Sequence, residues 1–290
     1  MTTEKHVFGT DLLTATVTAH GAELISLRDP TGRELMWNGG PPWPRHSPVL
    51  FPIVGRLPAH EITLNDQPLH LPQHGFARDC TFHWLDRTAQ GCTLELTENA
   101  ATLTGFPERF RLRMTYRVEK NRLTVSYELH NPDSSAVLHA SLGAHPAFIW
   151  PLREDVPKTA HQLIFSENEP APIRRIDDKG VLPEAFPTPV QGKNLPLTEE
   201  LFVADAIIMP ELNSHSVSYI TPQKDGLHIT WNGFRDLGLW MKPGANFLCI
   251  EPWHGYAAPG DFSGDFSRKP GLLHLEAGES WNANWSVETI

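Results

Sequence analysis

The stretch Arg109–Asn131, RFRLRMTYRVEKNRLTVSYELHN, decides the fold class. Phe110, Leu112, Met114, Tyr116 and Val118 alternate with Arg109, Arg111, Arg113, Thr115 and Arg117. After Glu119-Lys120-Asn121, the residues Leu123, Val125, Tyr127 and Leu129 alternate with Thr124, Ser126, Glu128 and His130. A period of two on both sides of a short polar break predicts a hairpin with one face buried and one wet. The arginine row invites an anion-binding reading. Alternating charge on the outer face of a strand is more often plain solvated surface, and that reading is the stronger one.

Outward from this hairpin, strand signals dominate. Phe8–Ala19 is rich in alternating Thr and Val, Gly21–Leu27 follows, and Asp29-Pro30-Thr31-Gly32 marks a turn before Glu34–Trp37. Further short strand-like runs are Gln162–Phe165, Ala206–Met209, Val217–Ile220, Leu227–Trp231, Leu237–Trp240, Phe247–Ile250, Leu272–Leu275 and Ser280–Val287. One helical turn is predicted at Thr198–Phe202, with Thr198 as its N-cap. Many short strands with almost no helical periodicity predict an all-β antiparallel sandwich or barrel. No composition shift breaks the 290 residues, so one domain over 1–290 is expected. Residues 39–58 are too dense in Pro and Gly for a helix and too apolar for a linker, which predicts a wall or lid of a site.

Bulk composition excludes several partners. The net charge is −10 with no lysine-rich run, which argues against nucleic acid and anionic membranes. No apolar run is long enough to span a bilayer. Three cysteines without metal-type pairing, and a polar start MTTEKHVFGT, read as reduced thiols of a cytoplasmic protein. Nine tryptophans are many for this length; most should be core, but indole faces also suit ligands with apolar C–H faces, sugars among them.

Titratable residues in apolar runs are the chemical candidates. In LHASLGAHPAFIW (138–150), Pro146 keeps His145 out of the helical region, and Gly143 gives the chain room to turn before it. Alone, His145 reads as a satisfied core histidine before it reads as a catalyst. In FLCIEPWHG (247–255), Glu251 directly follows an apolar strand and is also held by a proline. A carboxyl at such a strand end lies either in solvent or in a cleft with a raised pKa, where it suits a general base. Arg56 in Gly55-Arg56-Leu57, and His74 and Arg78 in QHGFARD (73–79), lie on glycine-flanked loops. Asp205 interrupts the run Leu201–Ile208. The spacings His70/His74 and Glu251/His254 match zinc ligands only on a helix, and Pro72 and Pro252 forbid one, which argues against a metal there. There is no G-x-S-x-G elbow and no G-x-x-x-x-G-K-[ST] phosphate loop.

Arg56, HGFARD around His74 and Arg78, GAHPAF around His145 and CIEP around Glu251, in this order, resemble the aldose 1-epimerase (galactose mutarotase-like) family. The opening GAELISLRDPTGRELMW (21–37) resembles its N-terminal strands, and Leu201–Ile208 followed by NSHSV (213–217) resembles a bacterial subgroup. The likeness spans essentially the whole chain. It implies a galactose mutarotase-like antiparallel β-supersandwich with an open sugar cleft, and an isomerase that needs no metal or cofactor. Carried over residue by residue, Glu251 becomes the general base at the C1 hydroxyl and His145 the general acid at the ring oxygen. Arg56 and His74 become sugar-hydroxyl ligands, with Asp205 a weaker one. QHGFARD replaces the N-x-x-H-L-H-G-G pattern of many family members. HGFAR also resembles glucose-6-phosphate 1-epimerases, in which arginines hold the phosphate, so Arg56 and Arg78 make a hexose 6-phosphate the alternative to a free hexose. A sugar-binding module without catalysis is the other alternative, because a fold does not guarantee an activity.

Overall fold

The computed structural model describes residues 4–58 and 62–290; the first three residues of the polar start lie outside it. The Arg109–Asn131 prediction holds. Strands Arg111–Glu119 and Arg122–His130 pair antiparallel, with Tyr116 opposite Val125 and Leu112 opposite Leu129. The odd–even rule decides their faces: Leu112, Met114, Tyr116, Val118, Leu123, Val125, Tyr127 and Leu129 are all buried. The arginine row is neutralised by glutamates on its own sheet. Arg113 reaches Glu95 at 2.8 Å and Arg111 reaches Glu128 at 2.8 Å.

This hairpin sits within a nine-stranded antiparallel sheet. Its order is Asn194–Pro196, Gln162–Phe165, Ser216–Ile220, Gly226–Asn232, Ser280–Thr289, Arg122–His130, Arg111–Glu119, Gly91–Thr97 and His83–Thr88. A second sheet carries Ile207–Met209, Asp236–Trp240, Phe247–His254, Leu142–Ala144 and Val49–Leu50 in that order, with Ala147–Ile149 also pairing with Phe247–His254. A large apolar cluster fills the space between, from Val17 and Leu27 through Tyr116 and Trp150 to Trp285. Three small sheets complete the fold; in one of them Gly264–Asp265 pairs parallel with Ile62–Leu64. The architecture is all-β, as the strand pattern predicts.

Four local readings need correction. Phe8–Ala19 is not one strand but a hairpin of Lys5–Gly9 and Thr14–Thr18. Thr10 Oγ1 accepts from the amides of Leu12 and Leu13, which folds the chain back. Glu34–Trp37 forms only single bridges, because the Glu34 carboxylate takes the amides of Leu27 and Met36 in place of a ladder. The turn after Thr198 is a 3₁₀ helix, Glu199–Phe202, and no side chain caps it. A short α-helix, Ala100–Gly105, escapes the periodicity test. Its signal is local: Asn99 accepts from the amides of Ala101 and Thr102, and Thr102 Oγ1 accepts from the Asn99 amide, a closed capping box.

Candidate active site

One strand register builds the site. Leu142 lies opposite His254, Gly143 opposite Trp253, and Ala147 opposite Cys249. Pro146 cannot donate to a ladder and interrupts the pairing in between. Carried across that gap, the same register sets His145 directly opposite Glu251. Glu251 is therefore not at the end of a strand, as the sequence suggests, but in the middle of Phe247–His254. Both side chains point to the same face, and His145 Nε2 is 3.2 Å from Glu251 Oε2. They are nearly sealed from solvent, at 6% and 1% exposure.

Alternation puts Cys249, Glu251 and Trp253 on one face of this strand. Trp253 needs backbone room on both flanks and finds glycine on each. A Cβ at Gly143 would meet its Cδ1 at 2.5 Å, and one at Gly238 would meet Cη2 at 2.2 Å. So Gly143 serves close packing rather than the turn expected of it. Trp253 joins Leu50, Val54, Ala206 and Ile208 in a small apolar cluster.

Above this floor opens a cleft of about 280 Å³, lined by all six residues singled out in the sequence: Arg56, His74, Arg78, His145, Asp205 and Glu251. That volume is at the small end of ligand pockets, which run to about 300–1,000 Å³. Tryptophans supply apolar walls. Trp43, from the Pro- and Gly-rich loop, stacks on the His145 imidazole at 4.9 Å and 26°, and Trp240 meets it edge-on at 5.7 Å. The expectation that residues 39–58 wall a site holds at Trp43 and at Val54–Arg56.

Polar groups divide into donors and acceptors. Gly55 N–H donates to His74 Nδ1 at 3.1 Å, which assigns the His74 proton to Nε2. Both loops rely on left-handed backbone here, Gly55 at φ 75° and His74 at φ 66°. Gln73 Oε1 accepts from Arg56 at 3.2 Å, and its amide nitrogen lies 3.3 Å from His74 Nε2. Arg56 also donates to the Asp178 carbonyl at 3.1 Å, and Arg78 to the Gln73 carbonyl at 2.5 Å. The lining donors include Arg56, Arg78, Gln73 and His74. Asp177 and Asp205 offer acceptors. Asp205 stands exposed at φ 63°, and its Oδ1 takes the Ala206 amide at 2.7 Å. Gln73, Trp43, Trp240 and Lys242 line the cleft without having been singled out individually. Lone aromatics and loop polar groups carry no signal until the fold assembles them. NSHSV (213–217) lies elsewhere, with the Glu169 carboxylate accepting from the amides of Asn213 and Ser214.

Electrostatics set the resting state. Burial pushes the His145 imidazole down to about 3, with the Arg78 and Arg45 charges adding to it against a backbone hydrogen bond. Burial also lifts the Glu251 carboxyl well above the usual range, and the Asp205 charge lifts it further. His74 is held well below an ordinary imidazole by burial, then by His145 and Arg78. Both shifts favour the uncharged arrangement, a neutral imidazole beside a carboxylic acid, over the ion pair. His145 Nδ1 and Glu251 Oε2 are buried without a geometric hydrogen bond. A buried polar atom left without a partner costs about 1–3 kcal/mol.

The family model for aldose 1-epimerase matches residues 5–288. The chain belongs to the aldose 1-epimerase family. It is 30% identical over 262 residues, 84% of this chain and 86% of the relative, to the plasmid-encoded protein LacX of Lactococcus lactis subsp. lactis. Among solved structures, a galactose mutarotase related enzyme from Lactobacillus acidophilus superposes with TM-score 0.89 at 29% identity, covering 99% of this chain and 97% of that one. A galactose mutarotase-like protein from Lactobacillus casei ATCC 334 gives TM-score 0.89 at 28% identity, covering 99% and 100%. The fold of this aldose 1-epimerase family member is galactose mutarotase-like. Among its described residues, no helix is long and apolar enough to cross a membrane.

Proposed function

We propose that the protein is an aldose 1-epimerase that interconverts the α and β anomers of a hexose, with His145 and Glu251 as its acid and base. The observation that carries this reading is the 3.2 Å contact of the two groups on the floor of a cleft sized for one small ligand. Glu251 takes the proton of the C1 hydroxyl. The O1 electron pair forms the C1 carbonyl, the C1–ring oxygen bond breaks, and the ring oxygen takes a proton from His145. Rotation about C1–C2 and reclosure with the roles exchanged give the other anomer. No atom is gained or lost, and the pair ends with its single proton.

These roles start from imidazolium and carboxylate, whereas burial alone favours the neutral arrangement. Both contain the same proton, and it has one short contact to cross. A bound sugar tips the balance. Its O1–H donates to the carboxylate and its ring oxygen accepts from the imidazolium, both charge-assisted hydrogen bonds. Trp43, stacked on the ring, also favours the cationic form. Arg56 and His74 would hold hydroxyls, and Asp205 would accept one from the rim.

Polarimetry on freshly dissolved anomers of several aldoses tests the activity directly. Acceleration abolished by His145→Ala supports the reading, and none with any aldose sinks it. A hexose 6-phosphate is the second substrate class, favoured by the presence of Arg56, Arg78 and Lys242 along one cleft. It requires Arg78→Ala to harm turnover of the phosphate ester far more than of the free hexose; equal losses rule out a phosphate clamp.

A further inference from the structure

The proton-transfer scheme leaves Cys249 without a task. It is fully buried, and it shares its strand face with Glu251, two residues on. Its thiol, one His145 ring nitrogen and one Glu251 carboxylate oxygen all lie within 4.8 Å of one another. Among the described residues, no other trio of His, Cys, Asp and Glu has such spacing. His145 Nε2 lies 3.2 Å from Glu251 Oε2, and in the neutral ring with its hydrogen on Nδ1 that nitrogen keeps the lone pair a metal would take.

A thiolate, an imidazole and a carboxylate are the three donor types zinc accepts, at about 2.3, 2.0–2.1 and 2.0–2.2 Å. Around such an ion the donor atoms stand roughly 3.3–3.7 Å apart, so the trio closes by about 1.5 Å at most. Three protein ligands leave a fourth position. Here it opens toward the cleft, because His145 and Glu251 both line it. Sulfur selects thiophilic ions over magnesium and calcium, which prefer oxygen alone.

We propose that His145, Cys249 and Glu251 form an inhibitory site for zinc or a similar thiophilic divalent cation on the cleft floor. The ion replaces the proton between His145 and Glu251 and bonds to the Cys249 sulfur, whose proton leaves to solvent. It thereby occupies the lone pairs that proton transfer needs. The binding stands on geometry alone; the inhibition rests on the proposed epimerase activity.

Cobalt(II) is the probe, since a cobalt–thiolate bond adds a near-ultraviolet charge-transfer band. Titrating the full chain should saturate that band at one equivalent. Cys249→Ser should lose the band and bind zinc roughly 100-fold more weakly by calorimetry, above the effect of losing an outer partner. Cys80→Ser, which leaves the site intact, should keep both. Zinc should inhibit the wild-type protein in competition with sugar, while Cys249→Ser keeps its basal activity in the same zinc. Absence of a band in the wild type, or an unchanged band in Cys249→Ser, overturns the site. If Cys249→Ser does not fold, Glu251→Gln decides: zinc affinity must fall at least about tenfold. A protein that shows the band but epimerises no sugar keeps the metal site and loses the proposed function, so the two failures are distinct.

Discussion

Two strand pairs use charge in opposite ways. On the outer hairpin, Arg111 and Arg113 are partly exposed and each meets a glutamate on its own sheet. On the cleft floor, His145 and Glu251 are nearly sealed from water and meet each other at 3.2 Å, with Trp43 and Trp240 against the imidazole. Exposed pairs of the first kind are worth about 0–1 kcal/mol. The second arrangement lowers stability, and a fold keeps it where chemistry needs it. The difference teaches that charge matters here where it interrupts an apolar run, not where it is abundant.

The largest effect should fall on the buried pair. His145→Ala or Glu251→Gln should reduce anomer interconversion by about 10²–10⁴-fold, as expected for loss of a general acid or base. Polarimetry reads this directly, and an unchanged melting temperature would show that the fold survives. Next comes the packing beneath the pair. Gly238→Ala drives a methyl into Trp253 and should cost about 1–3 kcal/mol in denaturant unfolding. A neutral result would mean that the strands yield more easily than this packing implies. At the small end, Arg113→Ala should change stability by no more than about 1 kcal/mol and leave activity untouched. A large loss of activity would restore the anion-binding reading of the arginine row.

The pH profile sharpens the same contrast. In the proposed mechanism, activity needs one proton on the pair. A second proton is taken up only as pH falls toward the depressed imidazole, near 3. The single proton is lost only as pH rises through the elevated carboxyl. So kcat/KM should not begin to fall as pH drops through about 6.5, where an ordinary imidazole takes up its proton. An inflection there would show His145 titrating as a solvated ring.

Much of this was legible in the chain. The alternation in Arg109–Asn131 carried the sheet, because period two has one physical meaning. His145 and Glu251 stood out because each titratable group sits in an apolar run beside a proline. Their contact was not legible. It depends on register across a gap that Pro146 opens, and nothing local encodes register between segments a hundred residues apart. Trp43 and Trp240 were hidden for a related reason, since one tryptophan among nine says nothing about what it faces. The helix Ala100–Gly105 went unread because it is marked by one local capping box, Asn99 with Thr102, and by no hydrophobic period.

The central claim is that His145 and Glu251 act as one unit sharing one proton. NMR saturation transfer between anomer signals should be measured for the wild type, His145→Ala, Glu251→Gln and the double variant. Groups acting as a unit lose nearly everything when either is removed. The double variant should therefore exchange anomers within about threefold of the slower single variant. Losses that multiply in the double variant would show two independent groups and contradict the shared-proton pair.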